Sequence, residues 1–219
     1  MKNLQFGAQK PASGKTRSLV VFLHGYGADG ADLLGLADVL APHLPDTSFV
    51  APDAPERVAG APFGRQWFPI PRFDGSTEAQ AAQGLAAASA ALNGFLDQQL
   101  EAEGLGPEAL ALVGFSQGAM MALHVAPRRE VAMAGVVAIS GRLIRPEALA
   151  TEARVRPPVL ILHGDQDPVV PFAEMSLAGK ALIAAGFASS FHVMRGTGHG
   201  IAPDGLSAAL RFLAERLPG

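Results

Sequence analysis

The chain has 219 residues, about half of them apolar, and a formal net charge of −3. This length suits one large domain with a packed core, and the near-neutral charge without a lysine and arginine cluster argues against nucleic-acid binding. The absence of cysteine excludes disulfides and thiolate metal sites. No segment has the apolar length of a secretion signal or a membrane span, so we expect a cytoplasmic protein that does not insert into membranes.

Short apolar runs alternate with longer helical patterns along the chain. Runs that are apolar on both faces are typical of strands in a parallel sheet covered by helices on each side. Strands are predicted over residues 18–23, 47–52, 109–115, 133–140, 158–164 and 189–195. Helices are predicted over residues 77–100, 117–126, 172–185 and 203–216. The alternation predicts a single α/β domain over residues 1–219, with a doubly wound, mostly parallel sheet, helices on both faces and no large lid domain.

Residues 53–76 form one long segment, rich in proline and glycine, that interrupts this alternation. It contains Trp67, the only tryptophan, together with Phe63, Phe68 and Phe73. A loop of this length is usually functional or disordered, and the aromatic residues argue against disorder. We expect either that Trp67, Phe68 and Phe63 or Phe73 form an apolar substrate pocket, or that they pin the loop to the core.

The sequence GFSQG at residues 114–118 lies between a predicted strand and a predicted helix. In a sharp strand–turn–helix connection, Ser116 has a strained backbone and an exposed hydroxyl, while Gly114 and Gly118 allow close backbone approach. The N–H of Gln117, at the helix N-terminus, then points toward an oxyanion formed at Ser116. A helix N-cap serine between two glycines is the alternative. The flanking strand and helix favour a nucleophile.

A nucleophilic serine needs a base, usually an imidazole held by a carboxylate. His199 lies in a glycine-rich loop, GTGHGI, between the last predicted strand and the last predicted helix. Asp165 and Asp167 both follow the strand at 158–164, and Asp165 is expected to cap its own turn. Because the carboxyl ends of parallel strands meet at one edge, Ser116, Asp167 and His199 are predicted to form a catalytic triad.

The sequence VVFLHGYGADG, which includes the end of the first predicted strand, predicts the second donor of an oxyanion hole. Gly25 and Gly27 allow the backbone to approach closely, and the N–H of Tyr26 is the expected donor beside that of Gln117. Nucleotide binding is the alternative for this loop. The GxGxxG spacing and an acidic ribose ligand are both missing, which argues against it.

These motifs resemble those of the small bacterial carboxylesterases related to acyl-protein thioesterases and lysophospholipases, a family of α/β-hydrolases. The family motifs HGxG, GFSQG, HGxxDxxVP and a late G-H have counterparts here, in the same order, in LHGYG, GFSQG, HGDQDPVVP and GTGHG. By this resemblance Ser116, Asp167 and His199 match the triad, and Tyr26 and Gln117 match the backbone oxyanion pair.

The same resemblance has further implications. Trp67 and Phe68 match a family segment near the acyl pocket. The family more often has leucine at the position of Tyr26, and a ring with a hydroxyl there is expected to narrow or polarise the site. Family members work without metal or cofactor and are often dimeric, so we expect no cofactor, no metal and, as a possibility, a homodimer.

The expected function is hydrolysis of a small-molecule carboxylic ester with a short to medium acyl chain, through an acyl-enzyme at Ser116. Acyl-thioesterase or lysophospholipase activity on the same triad is the alternative. A cofactor-free perhydrolase or a dienelactone-type hydrolase on the same scaffold also stays open, although dienelactone hydrolases usually use cysteine. A catalytically inactive binding protein is the rival of another class, and the intact Ser–Asp–His set argues against it.

Overall fold

The computed structural model describes residues 4–61 and 63–218, and its strands form one large sheet and one small one. In chain order the strands are β1 (Phe6–Gln9), β2 (Ser18–Leu23), β3 (Thr47–Pro52), β4 (Glu56–Arg57), β5 (Arg65–Gln66), β6 (Leu110–Phe115), β7 (Gly135–Ile139), β8 (Val159–Gly164) and β9 (Ser189–Met194). The large sheet has the order β1-β3-β2-β6-β7-β8-β9. Strand β1 is antiparallel to β3, and the other neighbours are parallel.

Helices follow most of these strands. They are α1 (Gly30–Leu34), α2 (Ala37–Leu40), α3 (Pro71–Asp74), α4 (Glu78–Glu103), α5 (Gln117–Val125), α6 (Leu149–Glu152), α7 (Ala173–Ala184) and α8 (Pro203–Arg216). None of the helices within residues 4–61 and 63–218 has the length and apolar character needed to cross a membrane.

The core consists of two apolar layers, one on each face of the sheet. Alternate residues of a strand face opposite sides, so Leu19 and Val21 of β2 pack in one layer and Val20 and Phe22 in the other. The first layer contains side chains of α4, α5 and α7. The second contains side chains of α1, α2 and α8, such as Phe212. The central strands β2, β6, β7 and β8 are therefore largely apolar, because both faces are covered.

The predicted architecture is confirmed: a doubly wound, mostly parallel sheet has helices on both faces. The six predicted strands and four predicted helices are all present, with ends that differ by at most three residues. No sequence pattern predicted β1, the β4–β5 pair, α1, α2, α3 or α6. These elements are short, from two to five residues, and such short elements carry no measurable periodicity.

Helix α4 begins at a capping box formed by Thr77 and Gln80. The Thr77 hydroxyl accepts a hydrogen bond from the N–H of Gln80 at 3.2 Å, and the Gln80 side chain accepts from the N–H of Thr77 at 2.8 Å. Two backbone N–H groups at the start of the helix thereby gain partners.

Replacing Thr77 with alanine removes the acceptor for the Gln80 N–H. We expect Thr77→Ala to lower the free energy of unfolding by about 1 kcal/mol, measured by urea denaturation. Thr77→Ser, which keeps the hydroxyl, should stay close to the wild type. Equal stability of all three proteins would contradict a stabilising cap at this position.

Candidate active site

Ser116 occupies the tight turn between β6 and α5, in a strained backbone conformation. Its φ is 54° and its ψ is −114°, a region that residues other than glycine rarely adopt. The N–H of Ser116 donates to the C=O of Ile139 at 2.8 Å, and its C=O accepts from the N–H of Met120 at 3.1 Å. These bonds hold the serine at the carboxyl edge of the sheet, as the sequence predicts.

The two glycines of GFSQG are required by close backbone contacts around this turn. A Cβ at Gly118 would overlap the carbonyl group of Leu23, and a Cβ at Gly114 would lie 2.6 Å from the nitrogen of Ala119. In both cases the obstacle is backbone, which cannot move aside as a side chain can. The prediction that both positions need glycine is therefore confirmed.

The structure brings Ser116, His199 and Asp167 together. Nε2 of His199 lies 3.0 Å from Oγ of Ser116, and Nδ1 of the same ring lies 2.8 Å from Oδ2 of Asp167. With the proton on Nδ1, the imidazole donates to the carboxylate and its Nε2 is free to accept the serine proton. This is the geometry that a nucleophile, a base and an orienting acid require.

The Asp167 carboxylate is fully buried and has several donors. Oδ1 accepts from the N–H groups of Val169 and Val170 at 2.8 and 2.9 Å, while Oδ2 faces His199. Burial by itself would raise the pKa of Asp167, but the hydrogen bonds from His199, Val170 and Val169 outweigh it and leave the pKa below its usual value. A second imidazole also lies near this carboxylate, with Nε2 of His163 3.5 Å from Oδ2 of Asp167. Asp167 is thus held as an anion beside the imidazole.

Asp165 connects the loop after β8 to the loop that carries His199. Its Oδ1 accepts from the N–H of Gly196 at 2.7 Å, rather than capping its own turn as the sequence analysis expected. The N–H of Gln166 donates to the C=O of Thr197 at 3.0 Å, which joins the same two loops. The preference for Asp167 as the partner of His199 agrees with this geometry, because Asp165 is already bound elsewhere.

The loop with the sequence HGYG lies directly against Ser116. A Cβ at Gly25 would stand 3.3 Å from the Cβ of Ser116, and Gly27 has a φ of 83°, which suits glycine. Within the residues that the structure describes, no hydrogen bond uses the N–H of Tyr26 or of Gln117. Both donors lie next to the serine and remain available to an oxyanion.

A cavity of about 560 Å³ adjoins the three side chains and is lined by both Ser116 and His199. Its apolar lining consists largely of Phe68, Ile70, Leu85, Met120, Ile144 and Val170. The guanidinium of Arg72 donates to the C=O of Val169 at 3.0 Å, so α3 is tied to the loop that carries Asp167. A cavity of this size and composition fits an apolar acyl group.

Tyr26, which differs from the leucine expected by resemblance, places its ring in the lining of this cavity. The ring centroid lies 5.7 Å from that of Phe73, which also lines the cavity. Burial and the nearby charge of Asp74 raise the pKa of Tyr26, so its hydroxyl is protonated at neutral pH. The side chain therefore adds a neutral polar group to the cavity lining beside Phe73.

Two of the three aromatic residues predicted to bind substrate, Trp67 and Phe63, do not line the cavity. Trp67 is fully buried in the core, where its indole N–H donates to the C=O of His24 at 3.0 Å. Phe63 is 83% exposed and lies outside the lining. Phe68 does line the cavity. Trp67 and Phe68 lie in a bend after β5, and only the second ring reaches the cavity lining.

The sequence analysis missed several residues that form the cavity. Met120 lies one helical turn after Ser116, so its place on the first turn of α5 was a usable signal. Leu85 belongs to the apolar stripe of α4, and nothing in the sequence separates a cavity wall from the core. Arg72 carries no pattern that predicts its bond to Val169.

Of the other histidines, His24, His163 and His192 have hydrogen-bond partners within the fold. His24 is fully buried, with Nδ1 2.7 Å from the C=O of Gly25, and Nε2 accepts from the N–H of Ala54 at 3.0 Å. Burial lowers the pKa of His24, which agrees with a neutral ring. His192 lies 2.7 Å from Asp204 at the surface. In the described part of the chain, no group of three or more histidine and acidic side chains is arranged to hold a metal ion.

The lowered pKa of Asp167 predicts a pH-dependent contribution to stability. A depressed folded-state pKa stabilises the protein above the unfolded-state value, about 3.9, and that contribution disappears as the pH falls through the folded-state value. We expect the difference in free energy of unfolding between the wild type and Asp167→Asn to be largest near neutral pH and to shrink in acid. Urea denaturation over a pH series measures it, and a difference that does not change with pH would contradict the assignment.

Comparison with known proteins gives one family. A model of the phospholipase/carboxylesterase family matches residues 8–217. Esterase YpfH of Escherichia coli is 30% identical over 219 residues, which are 100% of this chain and 90% of the relative. Acyl-protein thioesterase 1 of Saccharomyces cerevisiae is 30% identical, over 92% of this chain and 93% of its own. The crystal structure of esterase PE8 has 42% identity and a TM-score of 0.93, and covers 99% of this chain and 100% of its own. The chain belongs to the phospholipase/carboxylesterase family of α/β-hydrolases.

Proposed function

We propose that the protein is a carboxylesterase that hydrolyses esters with short to medium acyl chains through an acyl-enzyme at Ser116. One observation carries this function: the continuous hydrogen-bonded line from Ser116 Oγ through His199 to the buried Asp167, with distances of 3.0 and 2.8 Å. Family membership and the identity to known esterases support the same reaction class.

In the first half of the reaction, Oγ of Ser116 attacks the acyl carbon while Nε2 of His199 accepts its proton. The imidazolium is stabilised by Asp167, whose lowered pKa keeps the carboxylate charged. The N–H groups of Tyr26 and Gln117 bind the oxyanion of the tetrahedral intermediate. His199 then returns the proton to the leaving alcohol, and the C–O bond of the ester breaks.

In the second half, His199 accepts a proton from water, and the resulting nucleophile attacks the acyl-enzyme at Ser116. The tetrahedral intermediate uses the same two N–H donors, and its collapse transfers the proton to Oγ of Ser116. No metal or cofactor is needed for either half of this proposed reaction.

The acyl group occupies the cavity of about 560 Å³ that adjoins Ser116. Phe68, Leu85 and Met120 give it apolar walls, and apolar surface buried there contributes about 25 cal/mol per Å² to binding. This favours acyl chains long enough to contact those walls. The charged groups Arg142 and Glu174 also line the cavity, so it is not apolar throughout.

Thioester hydrolysis is the second candidate, because a relative with 30% identity is an acyl-protein thioesterase. The attack by Ser116 and the oxyanion donors serve both substrates, which differ only in the leaving atom. A matched pair of oxygen ester and thioester with the same acyl chain separates the two activities. A lysophospholipid with that chain tests the third activity that the resemblance implies.

Replacing Ser116 with alanine removes the nucleophile. We expect Ser116→Ala to lower kcat on a short p-nitrophenyl ester by about 10⁶-fold and to abolish labelling by a fluorophosphonate probe. Ser140→Ala is a matched control, because Ser140 also follows a central strand at positive φ and is fully buried but does not line the cavity. It should be labelled like the wild type.

Two outcomes would overturn the proposal. Retention of a tenth of the activity in Ser116→Ala would remove Ser116 as the nucleophile. Absence of labelling in the wild type would favour a binding protein that retains the hydrolase fold.

Filling the cavity should change the preferred acyl chain. We expect Leu85→Trp to lower kcat/KM for an octanoyl ester at least about tenfold relative to an acetyl ester, because the indole occupies space beside the acyl chain. Phe63→Ala is the control, since Phe63 lies outside the cavity lining, and its ratio should equal that of the wild type. An altered ratio in Phe63→Ala with an unchanged ratio in Leu85→Trp would place the acyl group elsewhere.

A further inference from the structure

The side chain of Gln117 is fully buried and forms two hydrogen bonds that the proposed mechanism does not use. Its Oε1 accepts from the N–H of Trp67 at 2.9 Å, and its Nε2 donates to the C=O of Phe68 at 2.7 Å. The oxygen and the nitrogen of the side-chain amide thus both bond to the backbone of the same segment. This segment, residues 65–68, is called the bridging segment below. The amide fixes it to the first turn of α5.

The bridging segment is also bonded to the loop that carries Tyr26. The indole N–H of Trp67 donates to the C=O of His24 at 3.0 Å, and the C=O of Arg65 accepts from the N–H of Gly27 at 2.8 Å. Tyr26 therefore lies between two anchored positions, His24 on one side and Gly27 on the other. Hydrogen bonds to the bridging segment thus fix the loop at both of these positions.

The bonds of Gln117 and of the Trp67 indole are shielded from solvent, whereas Gly27, which bonds to Arg65, is exposed. Gln117, Trp67 and His24 are each 0% exposed. The imidazole of His24 is itself bonded to the backbone of Gly25 and Ala54, at 2.7 and 3.0 Å. Buried hydrogen bonds of this kind restrict movement because water cannot take the place of a lost partner. The network is a rigid connection between two parts of the backbone.

We propose that the Gln117 side chain is a positioning group for the oxyanion hole, an inference that rests on the proposed function. Its backbone N–H is one donor of the hole. Its side chain, through the bridging segment, sets where the other donor, the N–H of Tyr26, lies. An oxyanion hole works only when both donors are already in place at the transition state, and a misplacement of about 1 Å can reduce the rate 10²-fold.

Gln117→Met keeps the length of the side chain and removes both of its hydrogen bonds. We expect kcat on p-nitrophenyl acetate to fall by about 100-fold with little change in KM, because the donors act on the transition state. The affinity for an alkyl boronic acid, which forms a tetrahedral adduct with the serine, should fall by a similar factor. Phe49→Leu is the control: Phe49 is fully buried on β3 and outside the cavity lining, so it should lose stability while kcat stays at the wild-type value.

Gln117→Glu tests the same bonds in a second way. The protonated carboxyl is isosteric with the amide, since its O–H can donate to the C=O of Phe68 and its C=O can accept from the N–H of Trp67. Ionisation removes the donor and places a charge against the Phe68 carbonyl. We expect the ratio of kcat in Gln117→Glu to kcat in the wild type to fall as the pH rises between about pH 5 and pH 9, where a buried carboxyl titrates.

Three results would overturn the inference. The first is wild-type kcat and boronate affinity in folded Gln117→Met. The second is an unchanged kcat on the acetyl ester with altered KM and chain-length preference, which would show that Gln117 supports only the cavity wall at Phe68. The third is a ratio of kcat in Gln117→Glu to kcat in the wild type that does not change with pH. This third result decides the question if Gln117→Met does not fold. Activity in Ser116→Ala would instead refute the proposed function, so the two failures are distinguishable.

Discussion

The strained turn at Ser116 is the constraint on which the rest of the site depends. A φ of 54° at a serine is unfavourable. Close backbone packing on both sides holds the turn, since Gly118 lies against the carbonyl of Leu23 and Gly114 against the backbone of Ala119. The turn raises the hydroxyl above the sheet edge and starts α5 immediately behind it. The other residues of the site lie on loops that follow other strands, so these loops must be positioned relative to Ser116.

The structure meets this requirement by joining the loops at the carboxyl edge to one another. The loops after β8 and β9 are linked through Asp165 and Gln166, so Asp167 and His199 keep their relative position. The loop after β2 is linked to α5 through Trp67 and the Gln117 side chain. The connection through Trp67 and Gln117 uses buried polar groups whose loss leaves a partner unpaired, whereas the bond between Asp165 and Gly196 lies at the surface. The fully buried Asp167 carboxylate is stable only because three donors compensate for its burial.

The sequence was sufficient to predict the elements that are long and periodic. Strand β6 and helices α5 and α8 agree with the prediction within a residue, because their apolar patterns are strong and their ends carry glycine or proline. The site residues Ser116, Asp167 and His199 were found because all three follow strands of a parallel sheet. The positions of the aromatic rings could not be predicted, for a different reason. Composition indicates that a loop carries apolar side chains, but not whether a given ring faces the core or the cavity. Trp67 faces the core and Phe68 the cavity, one residue apart.

The sequence by itself determined the alternation of the long strands and helices, the turn at Ser116, and the three side chains that meet there. These features are local, or follow from the rule that parallel strands end at one edge. Only the tertiary structure decided which residues enclose the cavity, that Asp165 binds the next loop, and that the Gln117 amide reaches the backbone of residues 67–68. Those contacts join residues far apart in the chain, and their geometry depends on the packing of all the elements between them, which no short pattern records.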